Sequence, residues 1–111
     1  MTILEAAKVL NAEVLAEGEA VGDDIKYVVA SDLMSDVLLV DEEDILLLTS
    51  LASDQILRTA QIVGAVGVIV VNGKSLPSSM VSVANDLGMS LARCDFSKYN
   101  ACITLYEAMK N

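Results

Sequence analysis

Two unbroken apolar runs constrain this chain more than any other feature. Ile45-Leu46-Leu47-Leu48 and Val66-Gly67-Val68-Ile69-Val70-Val71 contain no polar side chain. A strand with one wet face alternates apolar and polar residues, whereas a strand covered on both faces does not. Both runs fall well short of the ~20 residues that a bilayer-spanning helix needs. Strands buried on both faces are typical of parallel sheets, whose neighbouring strands are joined by crossovers, usually helical. The segments after each run supply such helices. Residues 52–63 put Ala52, Ile56, Ala60 and Val63 on one side, and Gly64 follows as a stop. A second helix starts near Pro77, buries Met80, Val81, Ala84 and Leu87, and ends before Gly88. A shorter third strand, residues 89–92, leads into a helix over 98–110 that buries Ala101, Cys102, Leu105 and Met109. Strand starts near 45, 66 and 89 repeat an architecture, not a side-chain pattern.

The N-terminal part reads less regularly. Thr2-Ile3-Leu4-Glu5 is a capping box that opens a short helix ending near Asn11. Residues 12–16 fit a short strand, and residues 25–30, rich in β-branched and aromatic side chains, fit another. Ser31 is placed to cap a short helix over 32–39, and Asp41-Glu42-Glu43-Asp44 is a solvated connection. The expected fold is one α/β domain over residues 1–111, three layers deep, its mostly parallel sheet flanked by helices on both faces. The apolar share is 54% before glycine is counted, against roughly 45–50% with glycine in typical domains. That excess excludes disorder and implies a sheet covered on both sides, a buried subunit contact, or both.

Charge excludes several functions. The net charge is −9, and residues 1–57 carry 13 acids against Lys8 and Lys26. Residues 58–111 carry three acids against five bases. A chain with no basic cluster cannot displace phosphate counterions, so nucleic acid is not an expected partner. No signal-peptide core or membrane span is visible, and Cys94 and Cys102 form no metal-ligand or redox pair, so a reducing cytoplasmic setting is expected. Cys102, on the apolar side of the last helix, is expected to be a buried thiol. Histidine is absent, which removes every His-based acid–base, nucleophilic and metal scheme. A Ser–Lys pair, Lys74 with Ser75, Ser78 or Ser79, survives that exclusion but nothing else in the chain supports it. Asp32 and Asp36 lie four apart and read as a solvated helix turn or, less simply, a Mg²⁺ pair. No metal or cofactor is expected.

Open parallel sheets bind ligands at the carboxyl ends of their strands. The loop after the second run, Asn72-Gly73-Lys74-Ser75, combines a turn glycine, a cation and a helix start. With Arg93 at the end of the next strand, these residues are the candidate site for a phosphorylated small molecule. The competing reading is a plain structural turn, since the spacing and second glycine of a Walker loop are missing.

Asp32-Leu33-Met34-Ser35-Asp36-Val37, Ile45 to Thr49, and Ala65 to Lys74 with Pro77 follow one another in a pattern that spans nearly the whole chain and resembles the DRTGG domain. Where that family has Asp-Arg before a helix, this chain has Ala52-Ser53; where it has Thr-Gly-Gly, this chain has Asn72-Gly73-Lys74. Asp95 matches an acidic residue before the family's last helix, followed there by Thr and here by Phe96. Such domains occur as regulatory segments of some CBS-domain pyrophosphatases and phosphotransacetylases, a related fold forms the N-terminal domain of HPr serine kinases, and small stand-alone members exist, some of them associated with iron-hydrogenase gene clusters in anaerobes. The resemblance therefore implies a non-catalytic regulatory or interaction module, a homodimer acting on an unknown protein partner, with a link to hydrogen or fermentative redox metabolism. The alternative is a sensor for a nucleotide or other phosphorylated metabolite. An enzyme is the weakest reading, because no convergent acid–base set can be assembled.

Overall fold

The computed structural model describes residues 1–110. The elements run α1 (Ile3–Val9), β1 (Glu13–Ala16), β2 (Tyr27–Ala30), α2 (Met34–Val37), β3 (Ile45–Thr49), α3 (Asp54–Ile62), β4 (Gly67–Val70), α4 (Ser78–Leu87), β5 (Ser90–Arg93) and α5 (Lys98–Met109). Five strands form one sheet in the order β1-β5-β4-β3-β2. β2, β3, β4 and β5 are parallel, in a register that sets Leu47 beside Val68 and Val68 beside Leu91. β1 alone runs antiparallel, pairing with β5 at the edge with a bulge between Val14 and Ala16.

This order explains the layers. Each of β2, β3 and β4 is followed by a helix and then by its immediate neighbour, always in the same direction across the sheet. Crossovers of one hand then place α2, α3 and α4 on one face. There Val37, Ile56, Ala60, Met80 and Ala84 pack on Ile45, Leu47, Val68, Val70 and Leu91. After β5 the chain turns to the other face, where Ala101 and Leu105 of α5 join Ile3 and Ala6 of α1 over Leu46, Leu48, Ile69 and Val71. The two sets of strand residues alternate along the chain, one set per face. Every residue of β3 and β4 is consequently buried, including Val68 and Val70 at 0% exposure.

The local signals act as expected in most places. The Thr2 hydroxyl accepts from the Glu5 amide and the Glu5 carboxylate accepts from the Thr2 amide, closing the capping box. Gly88 ends α4 in the left-handed region. Gly18 is required for a different reason: a Cβ there would collide with the Gly88 carbonyl, against which the chain passes on its way from β1. Two expectations are corrected. The helix expected over 32–39 shrinks to Met34–Val37, and Ser31 does not cap it; the Ser31 hydroxyl accepts instead from the Leu33 amide at 3.1 Å in a local turn. The buried thiol is Cys94, whereas Cys102 is half-buried, because α5 leaves that side of its surface uncovered near β2.

Candidate functional site

The carboxyl ends of β2 to β5 form one edge of the molecule, from which α3, α4 and α5 begin. β4 and β5 differ in where their chains go next: α4 lies on one face and α5 on the other. A parallel sheet opens between two such diverging loops, and that is where the candidate residues fall.

The structure brings Asn72, Gly73, Lys74 and Arg93 together, but largely by bonding them to their own surroundings. Asn72 and Gly73 both sit in the left-handed region, with φ of 67° and 65°. That double turn lets the Asn72 amide donate to the Phe96 carbonyl at 2.7 Å and the Gly73 amide donate to the Cys94 carbonyl at 2.9 Å. Asn72 Oδ1 accepts from the Lys98 amide at 3.1 Å, so the side chain caps α5. Arg93 Nε donates to the Lys74 carbonyl at 2.7 Å, Nη2 donates to Asp95 Oδ1 at 2.9 Å, and Nη1 lies 3.7 Å from Glu13 Oε1. Arg93 is thus a tie between β1, β5 and the β4–α4 loop. Lys74 is exposed, and no carboxylate among the described residues pairs with it. Ser75 is exposed on the same loop and takes part in none of these bonds. Pro77 precedes α4, whose first amides have no side-chain cap.

A second polar cluster on this edge is centred on Asp32. Its Oδ1 accepts from the Thr49 hydroxyl at 3.0 Å and the Ser50 amide at 2.7 Å. Its Oδ2 accepts from the Ser50 hydroxyl and lies 2.8 Å from Lys98 Nζ. Partial burial alone would raise this carboxyl, but the Lys98 ammonium and the Ser50 and Thr49 donors outweigh it and hold Asp32 well below the usual carboxylate range. A carboxylate so held is a weak base, so the Ser50 hydroxyl gains no nucleophilic activation from it. Asp32 therefore lies outside the α2 turn in which it was expected to stand with Asp36. Among the described residues no group of three His, Cys, Asp or Glu side chains is placed to hold a metal ion. Sequence reading missed Thr49, Ser50 and Lys98 as partners of Asp32, since they come from two other elements. The signal that was available is position: Thr49 and Ser50 end a buried strand with polar residues. Cys94, beneath this edge, has its thiol pushed up by burial.

No helix among the described residues is long and apolar enough to cross a membrane. No family model matches the chain. No curated protein matches it either. Among solved structures, the CBS and DRTGG domains of the regulatory region of Clostridium perfringens pyrophosphatase, complexed with activator, diadenosine tetraphosphate, superpose with a TM-score of 0.77 at 12% sequence identity. The match covers 93% of this chain but 45% of that one, so the chain spans less than half of its neighbour's length. At that identity the likeness is one of fold, and the fold of this chain is DRTGG-like.

Proposed function

We propose that the chain is a non-catalytic regulatory module, a single DRTGG-like domain over residues 1–111, that self-associates and acts on a protein partner in the cytoplasm. The observation that carries this reading is the state of the ligand edge. Arg93, Asn72 and Asp32, which would grip or activate a substrate, are each held by neighbouring protein groups. No histidine is present, and the carboxylate of the Asp32 cluster is too weak a base for proton transfer. Apolar side chains are meanwhile exposed on the outer surface, Leu39, Ile62, Tyr99 and Tyr106 most of all. Of these, Tyr99 and Tyr106 share one helix, α5, with exposed Ile103 between them, and a contiguous exposed apolar patch marks an interaction surface. Light scattering at micromolar concentration is expected to give a multiple of the 11.8 kDa chain mass. A mass of one chain would overturn self-association. The sequence resemblance adds hydrogen or fermentative redox metabolism as the setting, and deletion of the gene with hydrogen evolution as readout tests that.

A second reading, a sensor for a phosphorylated ligand, is favoured by one feature. Lys74 pairs with no carboxylate among the described residues and stands beside the uncapped start of α4, on one of the diverging loops. The structural neighbour was solved with a dinucleotide activator. In this reading Asn72, Gly73, Lys74, Ser75 and Arg93 contact the phosphates, Arg93 exchanging Asp95 for the ligand. Amide shifts followed during titration with ATP and diadenosine tetraphosphate should then centre on residues 72–75. Lys74→Ala should abolish them while leaving Tm nearly unchanged, because an exposed lysine contributes little to stability. Shifts confined elsewhere, or none, would leave the loop as a structural turn.

A further inference from the structure

The surface between β2 and α5 is the least finished part of the molecule. β2 is an edge strand, and an unpaired strand edge is a template for another chain. Beside it lies a groove of about 530 Å³ lined mainly by Val28, Ala30, Cys102, Leu105, Tyr106 and Met109, with Lys26, which pairs with Asp44, and Tyr27 completing its wall. α5 adds a stripe next to that groove. Tyr99, Ile103 and Tyr106 follow one another at i, i+4 and i+7 and all three are exposed. The opposite side of the same helix buries Ala101 and Leu105 against the sheet. A helix that is apolar on both sides is a helix covered on both sides.

Resting on the self-association reading above, we propose that this surface is its interface, and that its occupant is a second copy of this chain. Charge selects that occupant. Each copy carries a net of −9 that comes from residues 1–57, so two copies repel one another wherever those residues meet. The outer face of α5 is the exception, because Lys110 lies 3.7 Å from Glu107 and over the Tyr106 ring, leaving the face neutral. Two identical neutral faces meet without like-charge cost, whereas a basic partner would be drawn to the acidic residues 41–43. The area is of the right size. Tyr99 and Tyr106 alone leave roughly 280 Å² of side-chain surface in water, about a third of the ~800 Å² per partner of a standard interface, before Ile103 and the groove are added. Around a two-fold axis the same patch serves both copies, with the partner's apolar side chains entering the groove and the two β2 edges facing each other.

The test compares three variants with the wild type by light scattering across a dilution series, with circular dichroism to confirm folding. Tyr106→Arg and Ala30→Arg replace exposed residues, so the fold should persist, and each should raise the dimer dissociation constant about 30-fold or more. Ile62→Arg, exposed on α3 across the sheet, should leave it unchanged. Amide exchange at residues 27–30 should slow as concentration rises through the dissociation constant. A wild type that stays one chain overturns both self-association and this interface. A dimer that survives Tyr106→Arg and Ala30→Arg but fails with Ile62→Arg overturns the interface alone.

Discussion

Asp32 shows how one side chain joins three separate elements. It follows β2, accepts from the end of β3, and pairs with the first residue of α5. Asp32→Ala leaves the Lys98 ammonium, the Ser50 amide and two hydroxyls without their common acceptor. At this half-exposed position the expected cost is about 1–3 kcal/mol, measured by urea unfolding. Lys98→Met removes only one donor and should cost less, about 1 kcal/mol or below, as partly exposed ion pairs do. The pH dependence follows from the direction of the shift. Asp32 is a stronger acid in the folded chain than in the unfolded one, so the folded chain binds its proton less readily. Its contribution is therefore fully present above the unfolded value near ~3.9 and is lost as pH falls below it. Subtracting the Asp32→Ala unfolding curve from the wild type should give a difference that is flat from neutral pH down to mildly acidic pH and shrinks in strong acid. A difference that grew on acidification would contradict the assignment.

At the scale of elements, the β4–α4 loop and the start of α5 are one unit. α5 begins with two of its free amides satisfied, Asn100 by the Ser97 hydroxyl at 3.2 Å and Lys98 by Asn72 Oδ1. Asn72 also occupies the left-handed region, which asparagine tolerates better than most residues with a Cβ. Asn72→Gly removes the cap while easing the backbone, and should cost about 1 kcal/mol. Asn72→Ala removes the cap and adds strain, for about 2–3 kcal/mol in all. Thermal melts of the two variants check the order; equal costs would mean that the turn carries no strain. The residue was legible as part of a turn but not as a cap, because its partner lies 26 positions away. The same distinction separates most of what could and could not be read. The apolar runs at β3 and β4, the stop glycines and the capping box act within a few residues, and each lies where the sequence put it. The antiparallel direction of β1, the tie made by Arg93 and the shortening of α2 depend on which distant segments meet. Asp32 was drawn out of α2 by partners on β3 and α5, which local helix signals do not encode.

For the whole molecule, the uneven charge sets how stability should respond to salt. The ion pairs among the described residues are few and mostly at the surface: the Met1 ammonium with Asp24, Lys26 with Asp44, Arg93 with Asp95 and Glu13, Lys98 with Asp32, and Lys110 with Glu107. Exposed pairs contribute about 0–1 kcal/mol each, and salt weakens them. Against them stands a net of −9 folded into a body whose longest extent is 34 Å. At low ionic strength the screening length approaches ~30 Å, so nearly every carboxylate feels every other. At ~0.15 M it falls to ~8 Å and only close neighbours still interact. Compaction of like charges destabilises the folded state, so screening should favour it by more than it weakens the local pairs. Tm should therefore rise by several degrees between low salt and ~0.15 M, a gain equivalent to about 1 kcal/mol for a domain of this size. Self-association adds to the trend, because the same screening lowers the repulsion between two acidic chains and a folded dimer stabilises its subunits by mass action. Dilution separates the two contributions. The part due to self-repulsion within one chain is independent of protein concentration, and the part due to the dimer disappears as the chain is diluted below its dissociation constant. A Tm that fell with added sodium chloride would show that the ion pairs at the carboxyl edge of the sheet, rather than the overall charge, govern the stability of this fold.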